Sequence, residues 1–88
     1  MEHCINPVIQ PVLTGKNLSN ILKSKKISVK QLQMLFGFEY PQAVYSWLSG
    51  RTLPNIDNFL KLSKILDTRI EEILIYEDVR YLFNFLAH

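Results

Sequence analysis

Cysteine occurs once in the 88 residues, at Cys4, so no disulfide can form within the chain. A reducing compartment fits that, and a cytoplasmic location is expected. Histidine occurs twice, at His3 and His88. The only imidazoles and the only thiol therefore lie at the two ends of the sequence. A catalytic triad or a closed zinc site needs ligands fixed by rigid elements. No enzyme, no cofactor and no metal is expected. Thr14-Gly15-Lys16 has the look of a phosphate loop but lacks its upstream glycine and its strand. No apolar run approaches about 18 residues, so no membrane span is read. The segment MEHCINPVIQPVL has no basic stretch and is broken by Pro7 and Pro11, and it is not expected to be a secretory signal. Repeats and low-complexity tracts are also missing.

What is there is ordinary globular composition, 48% hydrophobic and 20% charged, with enough chain for one domain and one modest core. The net charge of +2 is unevenly spread. Residues 1–66 hold eight Lys/Arg against three Asp/Glu, and residues 67–88 hold two against five. A basic body with an acidic end suits a protein that places one end on a polyanion and keeps the other off it. The plainer account is that Lys23, Lys25 and Lys26 solvate a helix end and complement its dipole.

Pro7 and Pro11 argue for an extended arm over residues 1–14. Thr14 can cap a first helix from Gly15 to Ser24, with Leu18, Ile21 and Leu22 inward. Ser28 and Gln31 form a capping box for a second helix over 28–36, whose stripe is Leu32, Leu35 and Phe36 and whose end is Gly37. Pro41 is suited to the first position of a third helix over 41–49. There Val44, Trp47 and Leu48 face the core and Gln42, Tyr45 and Ser46 face away. Asn55 can cap a fourth helix to Leu66, with an apolar face of Ile56, Phe59, Leu60, Leu62, Ile65 and Leu66. Thr68 and Glu71 read as the box of a fifth helix through Leu74. Adjacent acids at Glu71-Glu72 and Glu77-Asp78 suit helix starts. A further helix is expected from Glu77 to Leu86, separate from the fifth or continuous with it. Only Val8-Ile9 hints at a strand. The fold class is all-α.

Two short helices joined by a tight turn, as in residues 28–50, can place one helix in the major groove of DNA. Such pairs also occur in small helical domains of other function.

The order of these elements resembles the phage Cro/repressor-type, or XRE-like, helix-turn-helix family, from about Gly15 to Leu74. Gly15-x-x-Leu18 resembles the start of the family's first helix. Ile27-Ser28 resembles its "LS" before helix 2, and Leu32 to Gly37 its "L-x-x-L-x-G". Val44-x-x-Trp47-x-x-Gly50, followed by Leu53-Pro54, is similar to "I-x-x-W-x-x-G". Phe59 to Leu66 resembles "LLKLAKLL", and Ile70-Glu71-Glu72-Ile73-Leu74 resembles "LDELL". Three departures stand out. The turn Phe38-Glu39-Tyr40 is one residue longer than the common pattern. Gln33 replaces a small buried alanine, and Val29 replaces a phosphate-contacting glutamine.

The resemblance implies a five-helix, lambda-repressor-like domain over residues 15–75, with the N-terminal arm before it and an extra C-terminal helix in the tail, residues 76–88. It implies a sequence-specific regulator, a repressor, bound to double-stranded DNA as a dimer on a palindromic operator. Its base-contacting residues would be Pro41, Gln42, Tyr45 and Ser46, in the helix that reads the groove. Its phosphate contacts would be Tyr40, Arg51, Thr52 and Asn55, with Val29 and Lys30 at the anion-binding start of the second helix. An antitoxin-like protein, or a protein-interaction module on the same fold, is the alternative.

The tail carries an apolar excess. Tyr76, Val79, Leu82, Phe83, Phe85 and Leu86 are more large groups than one short terminal helix needs, and Tyr81 and Phe85 fall off its inner face. They are expected to form a homodimer interface; folding back on the same domain is the other possibility.

Overall fold

The structure, a computed structural model, describes residues 7–78. In these residues the elements run β1 (Pro7–Ile9), α1 (Pro11–Lys25), α2 (Val29–Phe36), α3 (Gln42–Ser49), α4 (Ile56–Leu66), α5 (Ile70–Ile73) and β2 (Tyr76–Asp78). The chain is mostly helical, as its periodicity predicts. It is not purely helical, because β1 and β2 pair antiparallel, with Pro7 opposite Asp78, Val8 opposite Glu77 and Ile9 opposite Tyr76.

Two sequence expectations fail together at this pairing. The first helix begins at Pro11, with Gln10 as its N-cap, not at Gly15. Proline has no N–H to satisfy and its φ is already helical, so it opens a helix more easily than it blocks one. Thr14 then lies inside α1, 2% exposed, and caps nothing. Its hydroxyl accepts the Ile75 N–H at 2.9 Å and donates to the Ile75 carbonyl at 3.3 Å. The same carbonyl accepts the Gln10 N–H at 2.8 Å. Ile75 is thus held against the first turn of α1. Helix α5 has already ended at Ile73, and residues 76–78 enter a strand where a helix was expected from Glu77. Val79, Leu82, Phe83, Phe85 and Leu86 lie outside the described residues.

The core is shared by all five helices. Leu18 and Leu22 come from α1, Leu32 and Phe36 from α2, and Val44 and Trp47 from α3. Phe59, Leu62 and Leu66 come from α4, and Ile73 from α5. Each large side chain fully buried here contributes roughly 1.5–3 kcal/mol. Leu35, Ile56 and Leu60, expected inward, are instead 57%, 81% and 50% exposed. The apolar stripes are narrower than their sequence spacing suggests, because each short helix buries only the residues directly facing a neighbour.

Helices α1 and α3 cross at backbone distance. A Cβ at Gly15 would run into the carbonyl oxygens of Trp47 and Leu48, so only a hydrogen fits there. Gly50 ends α3 at φ 80°, and a Cβ on it would stand 2.5 Å from the Cα of Val12. The first turns of α1 therefore rest on the last turn of α3.

The fifth helix starts one residue later than its sequence box predicts. Thr68 is used to finish α4, its hydroxyl donating to the Leu66 carbonyl at 2.9 Å. Arg69 becomes the N-cap, and its N–H donates to Glu72 Oε1 at 3.1 Å. Asn17 Nδ2 donates to the carbonyls of Glu72 and Ile73 at 2.9 and 3.0 Å, so α1 also caps the end of α5. No helix among the described residues is long and apolar enough to cross a membrane.

Candidate nucleic-acid interface

Helix α2 opens as its sequence predicts. The Gln31 N–H donates to Ser28 Oγ at 3.0 Å, and the Ser28 N–H donates to Gln31 Oε1 at 2.8 Å. This box uses two of the donors at the helix start and leaves the amides of Val29 and Lys30 without a capping acceptor. Those two N–H groups sit at the positive end of the helix dipole. The Lys30 side chain is exposed, whereas Val29 is half-buried and packs on the core. What Val29 presents at this helix end is its backbone N–H, not its side chain.

The enlarged turn after Gly37 is ordered from within. Phe38 turns inward, its ring 5.1 Å from that of Phe36 and 5.9 Å from that of Trp47. Phe36 and Trp47 meet edge to face at 5.3 Å, and Lys61 Nζ lies 5.2 Å from the centre of the Phe36 ring. Gln33 Nε2 donates to the carbonyls of Phe38 and Glu39 at 3.2 and 3.1 Å. Two of the chain's departures from the common pattern, the extra residue and the glutamine in place of alanine, thus form one feature. The longer side chain reaches the longer turn.

Helix α3 starts at Gln42, with Pro41 as its N-cap at φ −86° and ψ 3°. Its first backbone bond runs from the Tyr45 N–H to the Pro41 carbonyl at 3.0 Å. Pro41 is therefore one position earlier than expected, and Tyr40, expected at the cap, precedes it and is 63% exposed. No side chain caps this end, and the first turn carries no acid. The first amides of α3 thus have neither a side-chain cap nor a first-turn acid to offset their partial positive charge.

Val44 and Trp47 anchor α3 with 0% and 5% exposure. On its other side Pro41, Gln42, Tyr45, Ser46 and Ser49 line one open concavity together with Arg51. All four residues expected to contact bases are brought together here, with one of those expected to contact phosphate. Gln42 is exposed, Tyr45 is 56% exposed and Ser46 is half-buried. Ser49 belongs to the same concavity and was not anticipated. Its place one turn after Tyr45 and Ser46 was the available signal. Ser49 Oγ donates to the Ser46 carbonyl at 3.1 Å and accepts the Arg51 N–H at 3.4 Å. The Ser46 carbonyl also accepts the N–H groups of Arg51 and Thr52, at 3.0 and 3.3 Å. The chain after Gly50 is folded back onto the helix, and Arg51 is held at its C-terminal end.

Val29, Lys30, Tyr40, Thr52 and Asn55 do not line this concavity. Lys30, Tyr40, Thr52 and Asn55 are exposed. Asn55 caps α4 as predicted, its Oδ1 accepting the Asn58 N–H at 2.8 Å, which leaves its NH2 group for another acceptor.

Comparison with curated proteins and with solved structures returned no match. A family model described as a Cro/C1-type HTH DNA-binding domain matches residues 17–78, from within α1 through β2. With more than half of its length matched, and with the helix pair, glycine caps and outward face in place, the chain belongs to the Cro/C1-type helix-turn-helix DNA-binding domain family.

Proposed function

We propose that this protein is a cytoplasmic, sequence-specific transcriptional repressor that reads the major groove with α3. The observation that carries this is the concavity itself. Pro41, Gln42, Tyr45 and Ser46 share one outward side of a helix whose inward side is locked into the core by Val44 and Trp47. A helix so anchored can present side chains to base edges in a fixed register. The amides of Val29 and Lys30, the Lys30 ammonium, Tyr40, Arg51, Thr52 and Asn55 are the groups for phosphate, which sets position without reading sequence. Occupying a site and excluding other proteins from it is the simplest way for such a domain to regulate.

The same reading makes the active species a homodimer on a palindromic operator, joined through the end of the chain. Tyr76 is 50% exposed and lines an apolar groove with Pro7, Ile9 and Leu74. Ile9 and Leu74 also line a second apolar groove with Leu53, Ile56, Phe59 and Ile70. This apolar surface lies beside the point where residues 79–88 leave the described chain, which favours a partner at that end. A two-fold pair joined there would set two α3 helices about 34 Å apart, one turn of DNA.

The test is a gel shift with duplex DNA at two salt concentrations. Affinity should fall steeply with salt, because each phosphate contact releases counterions. Failure to bind any duplex at low salt would overturn the repressor reading and favour a protein-interaction role for the same fold.

A further inference from the structure

Resting on α3 as the reading helix, we infer that the half-site facing it is built from A·T pairs. Gln42 reads an adenine, and Tyr45 packs on the methyl group of a neighbouring thymine. The inference starts from what the reading surface lacks. Helix α3, QAVYSWLS, carries no Lys, Arg, Asp or Glu. In the major groove guanine is read through O6 and N7 by an Arg or Lys donor, and cytosine through its N4 amino group by a carboxylate. Neither partner is present on this helix, and no carboxylate lines the concavity. The one cation lining it is Arg51, which follows Gly50, and its main chain is tied to the Ser46 carbonyl at 3.0 Å. About 10 Å of helix separates that end from the N-terminal turn that docks deepest.

What the surface does carry suits the other pair. An amide side chain can donate to adenine N7 and accept from N6 at once. Among the glutamines of the helix pair, Gln31 is used in the capping box and Gln33 in the turn. Gln42 is exposed, at the first position of α3, where the uncapped helix end points. Tyr45, one turn further and 56% exposed, offers a ring face to the thymine C5 methyl, and Pro41 adds apolar surface at the helix start. Ser46, the remaining polar group one turn after Gln42, accepts or donates with either pair and does not set the choice.

The full chain is presented with random duplexes, and the selected site is then altered one atom group at a time. The selected half-site should hold A·T pairs opposite α3. Replacing the contacted adenine by 7-deazaadenine should weaken binding about 5- to 150-fold for the wild type and leave Gln42→Ala indifferent. Replacing the contacted thymine by uracil should cost about fourfold, the worth of one apolar carbon. Tyr45→Ala should not notice that change. Circular dichroism of both variants checks that these exposed substitutions leave the fold intact. Selected G·C pairs whose preference disappears in Arg51→Ala would overturn the inference and make Arg51 the base reader. Salt-dependent duplex binding with no selected sequence would overturn it as well. Absence of binding to every duplex would instead bring down the DNA-reading proposal beneath it.

Discussion

The side-chain amide of Gln33 donates to the main-chain oxygen of Glu39 at 3.1 Å, across the turn that separates α2 from α3. Its second bond, to Phe38 at 3.2 Å, holds the preceding carbonyl as well. With both carbonyls fixed, the Phe38 ring stays against Phe36 and Trp47. The start of α3 is therefore placed by a side chain of α2, not by the turn alone.

Gln33→Ala should lower stability by about 1 kcal/mol in urea denaturation, since the part-buried Phe38 carbonyl loses its donor while the exposed Glu39 carbonyl can turn to water. Gln33→Glu should be no better, because a carboxylate cannot donate to them. An unchanged midpoint for both variants would show that water replaces the amide without loss.

Thr14→Val keeps the shape of the side chain and removes its hydroxyl. The Ile75 N–H then loses its acceptor, and a cost of about 1–3 kcal/mol is expected. Amide exchange of Ile75 should quicken in Thr14→Val and stay slow in Thr14→Ser. Equal protection in all three proteins would show that the hydroxyl does not hold this strand.

Arg51→Ala should weaken binding to the preferred site and to random DNA alike, and lower the salt slope by roughly one phosphate's worth. Gln42→Ala should differ, losing about 1–3 kcal/mol on the preferred site and little on random DNA. Equal losses by Gln42→Ala on both would make it a backbone contact.

Removing residues 79–88 keeps β2 and takes away Val79, Leu82, Phe83, Phe85 and Leu86. Sedimentation of the full chain at tens of micromolar should give a dimer, and of the shortened chain a monomer. A monomeric full chain, or a truncation that still dimerises, would exclude this segment as the contact.

The local signals in the sequence were readable where a residue acts on its own turn of chain. Ser28 with Gln31, Gly37, Gly50 and Asn55 mark helix ends, and each does so in the structure. Trp47 is in the core as its spacing with Val44 predicts. The signals failed where a residue acts at a distance. Thr14 looks like a cap, yet its partner is 61 residues away. The strands are three residues each and are defined by each other, so neither shows a pattern alone. Leu35, Ile56 and Leu60 fit apolar stripes, but spacing cannot say how wide a face the neighbours cover. In the concavity on α3, the shared placement of Gln42, Tyr45 and Ser46 was legible from the register of the helix. Ser49 was legible from the same register, one turn after Tyr45 and Ser46, but its position beside the glycine cap drew attention away from it.

Pairing Pro7 with Asp78 closes the described chain into a ring, with one clasp holding both ends. One stretch of α1 meets both the clasp and the end of α3: Thr14 holds the clasp, Val12 meets Gly50, and Gly15 meets Trp47 and Leu48. The clasp and α3 are thus bolted to the same few residues. A partner gripping the ends of the chain would be gripping the handle of the tool, with no hinge between hand and blade.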